Sequence, residues 1–358
     1  MVKRIACAVA ASACCASAQA QIGVSAPPLP GPALVMCTIL ELGRQVPCPD
    51  SEMFFHQGRA WVQRAFNAKD FARLDELYDL WCDGKERFPD GRWKLSQYGE
   101  ALYQNFMAWK TWTKDLGVIQ QWQRARPQSK AAQYAEAIYW RASGWSARGG
   151  GYASSVSKEG WELFHERLVK SREILARLQA AESSCAAPYA LSLSVLTDLG
   201  ASEEDLQSVF AQAVRRYPEY HNLYFAMARH YEPKWGGSTE LYERFADQVA
   251  EQTRGFEGWG MYARLYWLVD QRRDLPFVNE ESAPPHWKKL RSGYEDLVRL
   301  YPSSMHNLGK FAGVACRSND GELYRQLRAK IDGYEQGADM LDPIDVCDRR
   351  HGWTGIGR

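Results

Sequence analysis

No run of about 20 apolar residues occurs in this 358-residue chain, so no segment reads as a membrane-spanning helix. Neither sign of charge is in excess. Forty-four Lys and Arg face 43 Asp and Glu, a formal net of +1, which supplies no basic footprint for nucleic acid. Strand-like alternation is scarce too. The seven histidines are scattered, form no His-Glu-x-x-His, and include no pair at zinc spacing. No Gly-x-Ser-x-Gly elbow appears, so the nucleophile elbow of serine hydrolases is missing. These absences leave no metal or cofactor to expect, and they favour a non-enzymatic protein.

Present instead are 46% hydrophobic residues, 14 Trp and 18 Tyr in a chain of mean hydropathy -0.46. That balance fits a soluble protein with a large core. Residues 1–20 read as a secretory signal: Lys3 and Arg4 form a basic start, Ile5 to Ala18 is a short apolar run, and Ala18-Gln19-Ala20 suits a signal peptidase. The mature chain then starts at Gln21 and is periplasmic or secreted. The alternative is a lipoprotein anchored at Cys14. Six cysteines remain after the leader: Cys37, Cys48, Cys82, Cys185, Cys316 and Cys347. None stands in a Cys-x-x-Cys, and in an oxidising compartment an even set reads as disulfides. The expected pairs are Cys37–Cys48, closing a Pro-rich loop, and Cys316–Cys347, tying the tail to the last helices.

Residues 21–50 hold six prolines, a density that prevents a continuous helix and reads as an arm or linker, with a short strand possible near Val35–Leu40. Helical periodicity governs 51–350, and 351–358 is a C-terminal tail. Phe71, Leu74, Leu77, Tyr78 and Trp81 share one helical face behind Asp70 as N-cap. Leu206, Val209, Phe210, Ala213 and Val214 do the same behind Ser202, with Asp205 in capping-box position. Similar stripes run through 161–178 and 287–301. Leu191–Val195 alternates like a strand, yet Pro188 and Gly200 frame a helix there.

A weak repeat marks the joints. Arg124-Ala125-Arg126-Pro127, Arg215-Arg216-Tyr217-Pro218 and Arg299-Leu300-Tyr301-Pro302 each end one helix and open the next. Ten residues beyond each proline stands an alanine, Ala137, Ala228 or Ala312, which lets paired helices approach closely. The expectation is an all-α, irregular α-solenoid of tetratricopeptide-like helical hairpins.

Two glycine-bearing loops stand out. One is Trp145-Ser146-Ala147-Arg148-Gly149-Gly150-Gly151-Tyr152-Ala153, followed by Lys158-Glu159-Gly160-Trp161; the other is Pro233-Lys234-Trp235-Gly236-Gly237-Ser238. With Tyr262-Ala263-Arg264 and Trp267 they resemble an uncharacterised bacterial family, a domain of unknown function with a tetratricopeptide-like helical fold, over about residues 55–350. The resemblance implies fold and export and brings no catalytic residues.

Physically, the first loop offers backbone N–H groups beside Arg148, with Arg141 on the same side of the preceding helix. The second offers a cation, an indole and a hydroxyl. The bland alternative makes the glycines turns, Trp235 a core plug and Ser238 a helix cap. Arg141, Arg148, Tyr152, Lys234 and Trp235 are therefore the candidate contact residues for a protein or cell-envelope ligand, provided the two loops meet. The alternative is a periplasmic enzyme acting on envelope glycans or peptides, with Glu159, Glu162, Glu257 and Asp270 as nominal carboxylates. Trp61, Trp81, Trp161, Trp267 and Trp287 are expected in the core. Trp109, Trp112, Trp122, Trp140, Trp145 and Trp259 are left open between core and partial exposure.

Overall fold

The computed structural model describes residues 36–39, 44–47, 51–181, 185–270, 284–331, 340 and 342–355. An antiparallel hairpin of β1 (Met36–Ile39) and β2 (Arg44–Pro47) pairs Met36 with Pro47. It stands in the proline-rich arm, at the place the residues allowed a strand. Among the described residues everything else regular is helical, apart from one isolated bridge between Arg87 and Trp93, so the protein is all-α. The helices are α1 (Ser51–Ala68), α2 (Phe71–Asp83), α3 (Leu95–Trp109), α4 (Trp112–Ala125) and α5 (Lys130–Arg148). Then come α6 (Lys158–Ala180), α7 (Ala187–Asp198), α8 (Glu203–Arg216), α9 (His221–His230) and α10 (Thr239–Glu257). The chain closes with α11 (Gly260–Asp270), α12 (Trp287–Leu300), α13 (Met305–Arg317), α14 (Gly321–Ile331) and α15 (Ile344–His351).

Local chemistry explains where these helices begin. Side-chain oxygens of Asp70, Ser129, Ser157, Ser202, Ser238 and Ser304 each accept a first-turn backbone N–H, capping α2, α5, α6, α8, α10 and α13. Each such cap contributes about 1 kcal/mol. Residues 191–195 lie inside α7, with Pro188 in its first turn and Gly200 at φ +70° just past its end.

The three proline joints share one backbone geometry. Arg126, Tyr217 and Tyr301 leave the helix at φ -139°, -133° and -127°, with ψ of 74°, 59° and 62°. A residue before proline is pushed out of the helical region in this way. Its N–H still donates to the carbonyl four residues back, and two residues past the proline the N–H of Ser129, Tyr220 or Ser304 turns back to its carbonyl at 3.0–3.1 Å. Ala137, Ala228 and Ala312 are all buried.

Successive helices pack side by side, α3 on α1, α5 on α3, α6 on α5, α7 on α6 and α9 on α7, and onward to α15, while α1 also meets α13. One loop crosses this array. Residues 84–94, between α2 and α3, carry buried Phe88, Asp90, Arg92 and Trp93. Trp93 Nε1 donates to the Glu219 carbonyl at 2.8 Å, and Arg87 pairs with the Glu219 carboxylate at the α8–α9 joint. Arg264 of α11 donates to the Asp90 carbonyl at 2.5 Å. Gly91, at φ +87°, lies so close to Tyr301 that a Cβ would sit 2.3 Å from its ring. Only glycine fits that approach.

Two disulfides are described. Cys316–Cys347 joins α13 to α15 as expected, and Cys82–Cys185 joins α2 to the start of α7 across 103 residues. The Cys37–Cys48 pairing, residues 1–20 with Cys14, and most of the 21–50 arm fall outside the described residues. Trp122, left open in the sequence, is fully buried: its Nε1 reaches Asp75 at 3.1 Å and its ring stacks on Phe71. One correction concerns tryptophan. Trp161, expected in the core, is 38% exposed because it stands in the first turn of α6, where its ring packs edge-on to Phe164.

Candidate functional site

The two glycine-bearing loops meet. The hinge is Trp145, near the end of α5, whose ring lies edge-to-face 5.7 Å from Trp235 of the second loop and 5.0 Å from Phe164 of α6. Such aromatic pairs contribute about 0.5–1.5 kcal/mol beyond their buried area. Arg148, one turn after Trp145, sets its guanidinium 5.3 Å from the Trp145 ring and 5.0 Å from Trp161, bridging the indoles. Its Nη1 also donates to the carbonyls of Gly149 and Gly151 at 3.1 Å. Arg229, at the end of α9, stacks 3.9 Å over Trp235, and Lys234 approaches the same ring at 5.5 Å. Cations and indoles therefore alternate across elements that are far apart in the chain.

Asp198, the last residue of α7, holds the inner side together. Arg141 Nε donates to its Oδ2 at 2.8 Å, Trp145 Nε1 donates to the same oxygen at 2.8 Å, and Arg229 Nη2 meets Oδ1 at 2.6 Å. The two arginines respond differently to sharing one carboxylate. For Arg141, burial disfavours the charge, but Asp198, Tyr103 and Glu100 together outweigh it and the pKa sits above its ordinary value. For Arg229, burial prevails over Asp198 and the pKa is lowered. Cations still outnumber acids at the face: Asp198 meets two guanidiniums and buried Glu232 also acts on Arg229, while Arg148 has no carboxylate partner among the described residues.

Of the five candidate contact residues, Arg141, Arg148, Lys234 and Trp235 come together through Trp145 and Asp198. Arg148 and Trp235 are half-buried and Lys234 is exposed. Tyr152 does not join them. It stands on the first loop, 89% exposed, with its carbonyl capping Ser155. The glycines divide in purpose. A Cβ on Gly237 would sit 2.0 Å from the Tyr231 carbonyl oxygen, so the fold demands glycine there, and Gly149 needs it for φ +78°. Gly150 has neither constraint: nothing lies within 4 Å of its Cβ position, and its φ is ordinary. Ser238 caps α10, as the bland reading held.

Residues 59–203 match the model of a family of domains of unknown function, DUF4034. The matched segment contains Arg141, Trp145, Arg148, Tyr152, Trp161 and Asp198. It ends before Arg229, Lys234 and Trp235, so the second loop lies beyond it, as does about half of the expected 55–350 span. No curated protein and no solved structure matches the chain.

A second polar cluster escaped the sequence reading. Buried Glu257, at the end of α10, accepts from Arg264 Nε at 2.6 Å and from the Tyr301 hydroxyl at 2.9 Å. Burial alone would raise its carboxyl, but Arg264 and His221 hold it well below the usual carboxylate range. His221 is fully buried, its Nε2 3.6 Å from Glu257 Oε2, beyond a hydrogen bond. Burial pulls its pKa down to about 4, so the imidazole is neutral at pH 7. Asp90 accepts from Arg92 Nε at 2.5 Å and from the Arg92 backbone N–H at 2.9 Å. Glu257, one of the nominal catalytic carboxylates, is thus committed to an ion pair, while Glu159 and Glu162 lie exposed on α6. The side chain of Asp270 is not described.

Proposed function

We propose that this is an exported, non-enzymatic helical-repeat protein of solenoid type, a binding or scaffold protein whose Arg–Trp face grips a protein or cell-envelope ligand. One observation carries the reading: the face concentrates half-buried indoles and surplus cations where Arg148, Trp235 and Lys234 converge, which the packing of the core does not require. Gly150, unconstrained by the fold, permits a ligand backbone to approach beside exposed Tyr152. Two disulfides agree with an oxidising, extracytoplasmic setting, and no helix among the described residues is long and apolar enough to cross a membrane. The proposed route there is cleavage after Ala20.

The test places a photo-crosslinking amino acid at Tyr152 and illuminates living cells. A discrete envelope-fraction adduct is expected, absent from the Arg148→Ala, Trp235→Ala double variant at unchanged helicity. An adduct that survives the double substitution removes this face from the function. A mature N-terminus other than Gln21 removes the proposed processing.

A further inference from the structure

Four large apolar side chains stand exposed among the described residues: Leu80, Trp109, Tyr152 and Trp161. Three of them share one edge of the helix array. The Phe106 and Tyr139 rings lie 5.7 Å apart, and a Cβ on Gly99 would sit 2.8 Å from the Tyr134 hydroxyl, so α3 and α5 run parallel. Their C-terminal ends therefore leave the array on the same side. Trp109 is the last residue of α3 and is 71% exposed; Tyr152 stands in the loop after α5, and Trp161 in the first turn of α6. So bare an indole adds little to the core, which Trp112 already closes at this corner with its ring edge-on to Tyr139 at 5.9 Å.

Charge is sorted at the same corner. Lys110, in the left-handed region at φ 51°, ends α3, and Lys114 stands in the first turn of α4. Both are exposed, and neither has an ion-pair partner among the described residues. The one carboxylate between Met107 and Leu116 is turned inward: Asp115 is 4% exposed and accepts from the Thr111 hydroxyl at 3.0 Å, feeling Lys114 from beyond ion-pair distance. In the adjoining turns exposed Asp70, Glu159 and Glu162 offset Lys69, Arg148 and Lys158, so the surplus is that of Lys110 and Lys114. Lysine is depleted where proteins meet proteins, whereas Trp and Tyr beside Lys suit the interfacial zone of a bilayer, where the ring stays half-wet and the ammonium meets phosphate.

We propose that this edge rests on an anionic phospholipid surface, with Trp109 and Tyr152 entering the headgroup layer and Lys110 and Lys114 meeting lipid phosphates. The contact goes beyond the grip of the Arg–Trp face, in which Trp109, Lys110 and Lys114 take no part.

Vesicle flotation of the full mature chain tests it, with phosphatidylethanolamine and phosphatidylglycerol at three parts to one against phosphatidylcholine alone. Binding to the anionic vesicles is expected, and its loss at about 1 M salt, where the Debye length is about 3 Å. The Lys110→Gln, Lys114→Gln double variant is expected to bind about thirtyfold more weakly, since each lysine at such a surface contributes about 1 kcal/mol. Trp109→Ala is expected to cost at least about tenfold, because the indole no longer buries its area in the interface. These positions are exposed, so the variants keep the fold, which unchanged helicity checks. The Arg148→Ala, Trp235→Ala double variant disables the Arg–Trp face and is expected to keep vesicle binding within about fivefold, the share of one cation, so either reading can fail alone. No binding at about 1 mM anionic lipid overturns the proposal. So does equal binding to phosphatidylcholine, or an affinity that the lysine and tryptophan substitutions leave unchanged. A protein adduct crosslinked from position 109 without vesicle binding assigns the edge to a protein and overturns it as well.

Discussion

Two clusters in this protein are assembled from the same parts, arginines, carboxylates and aromatic rings, yet they differ in charge balance and exposure. Around Asp90 the charges are buried and matched: Arg92 serves Asp90, Arg264 serves Glu257, and His221 stays neutral. Around Asp198 two guanidiniums share one carboxylate, a third has none, and the indoles reach the surface. A desolvated charge is tolerated only when paired, so the first cluster works as a lock that seats the 84–94 loop among α9, α11 and α13. The second keeps charge in reserve at the surface, where a ligand can meet it. Chemical composition alone does not separate the two; solvent access and pairing do.

The sharpest blow to this contrast falls on Arg264. Arg264→Leu leaves Glu257 and the Asp90 carbonyl buried without their cationic donor, and the expected cost is about 3–5 kcal/mol in urea unfolding. A loss under about 1 kcal/mol would mean that the lock holds nothing. Next comes acid. Because His221 has a folded pKa of about 4 against an ordinary 6.5, the unfolded chain takes up the proton first as pH falls. Stability should therefore decline between about pH 6.5 and 4, by on the order of 3 kcal/mol. The lowered Glu257 carboxyl adds to the loss below its ordinary 4.5, since there the unfolded state again binds the proton first. His221→Gln should flatten the upper part of that profile, and an unchanged slope would assign it elsewhere. The smallest effect on stability belongs to Arg148→Ala on the exposed face. Losing its ring contacts should cost under about 1 kcal/mol, while the Tyr152 crosslink weakens. A much larger melting shift would make this face a structural element like the lock.

Much of the helical framework was legible because its causes lie within four residues. Asp70 and Ser202 accept the N–H three residues on, Pro127, Pro218 and Pro302 end one helix and start another, and Pro188 with Gly200 turned an alternating segment into α7. The site was legible in part. Both glycine loops could be marked, and their meeting was the stated condition. Arg229 and Asp198 went unmarked because an arginine ending one helix and an aspartate ending another carry no local signal. Trp122 stayed open and Trp161 was misplaced for a related reason: a stripe tells which face is apolar but not how far the neighbouring helix covers it.

Capping, proline joints and apolar period are short-range effects, and they suffice to make this chain a series of paired helices with oxidisable cysteines. The contacts that matter for its chemistry span much more chain: Arg264 reaches Asp90 across 174 residues, and Cys82 finds Cys185 across 103. Such meetings depend on the crossing angle of each helix pair added along the array, where small rotations accumulate. No residue pattern encodes that accumulated rotation, so the Asp90 lock and the Trp145–Trp235 contact became visible only once the helices were packed.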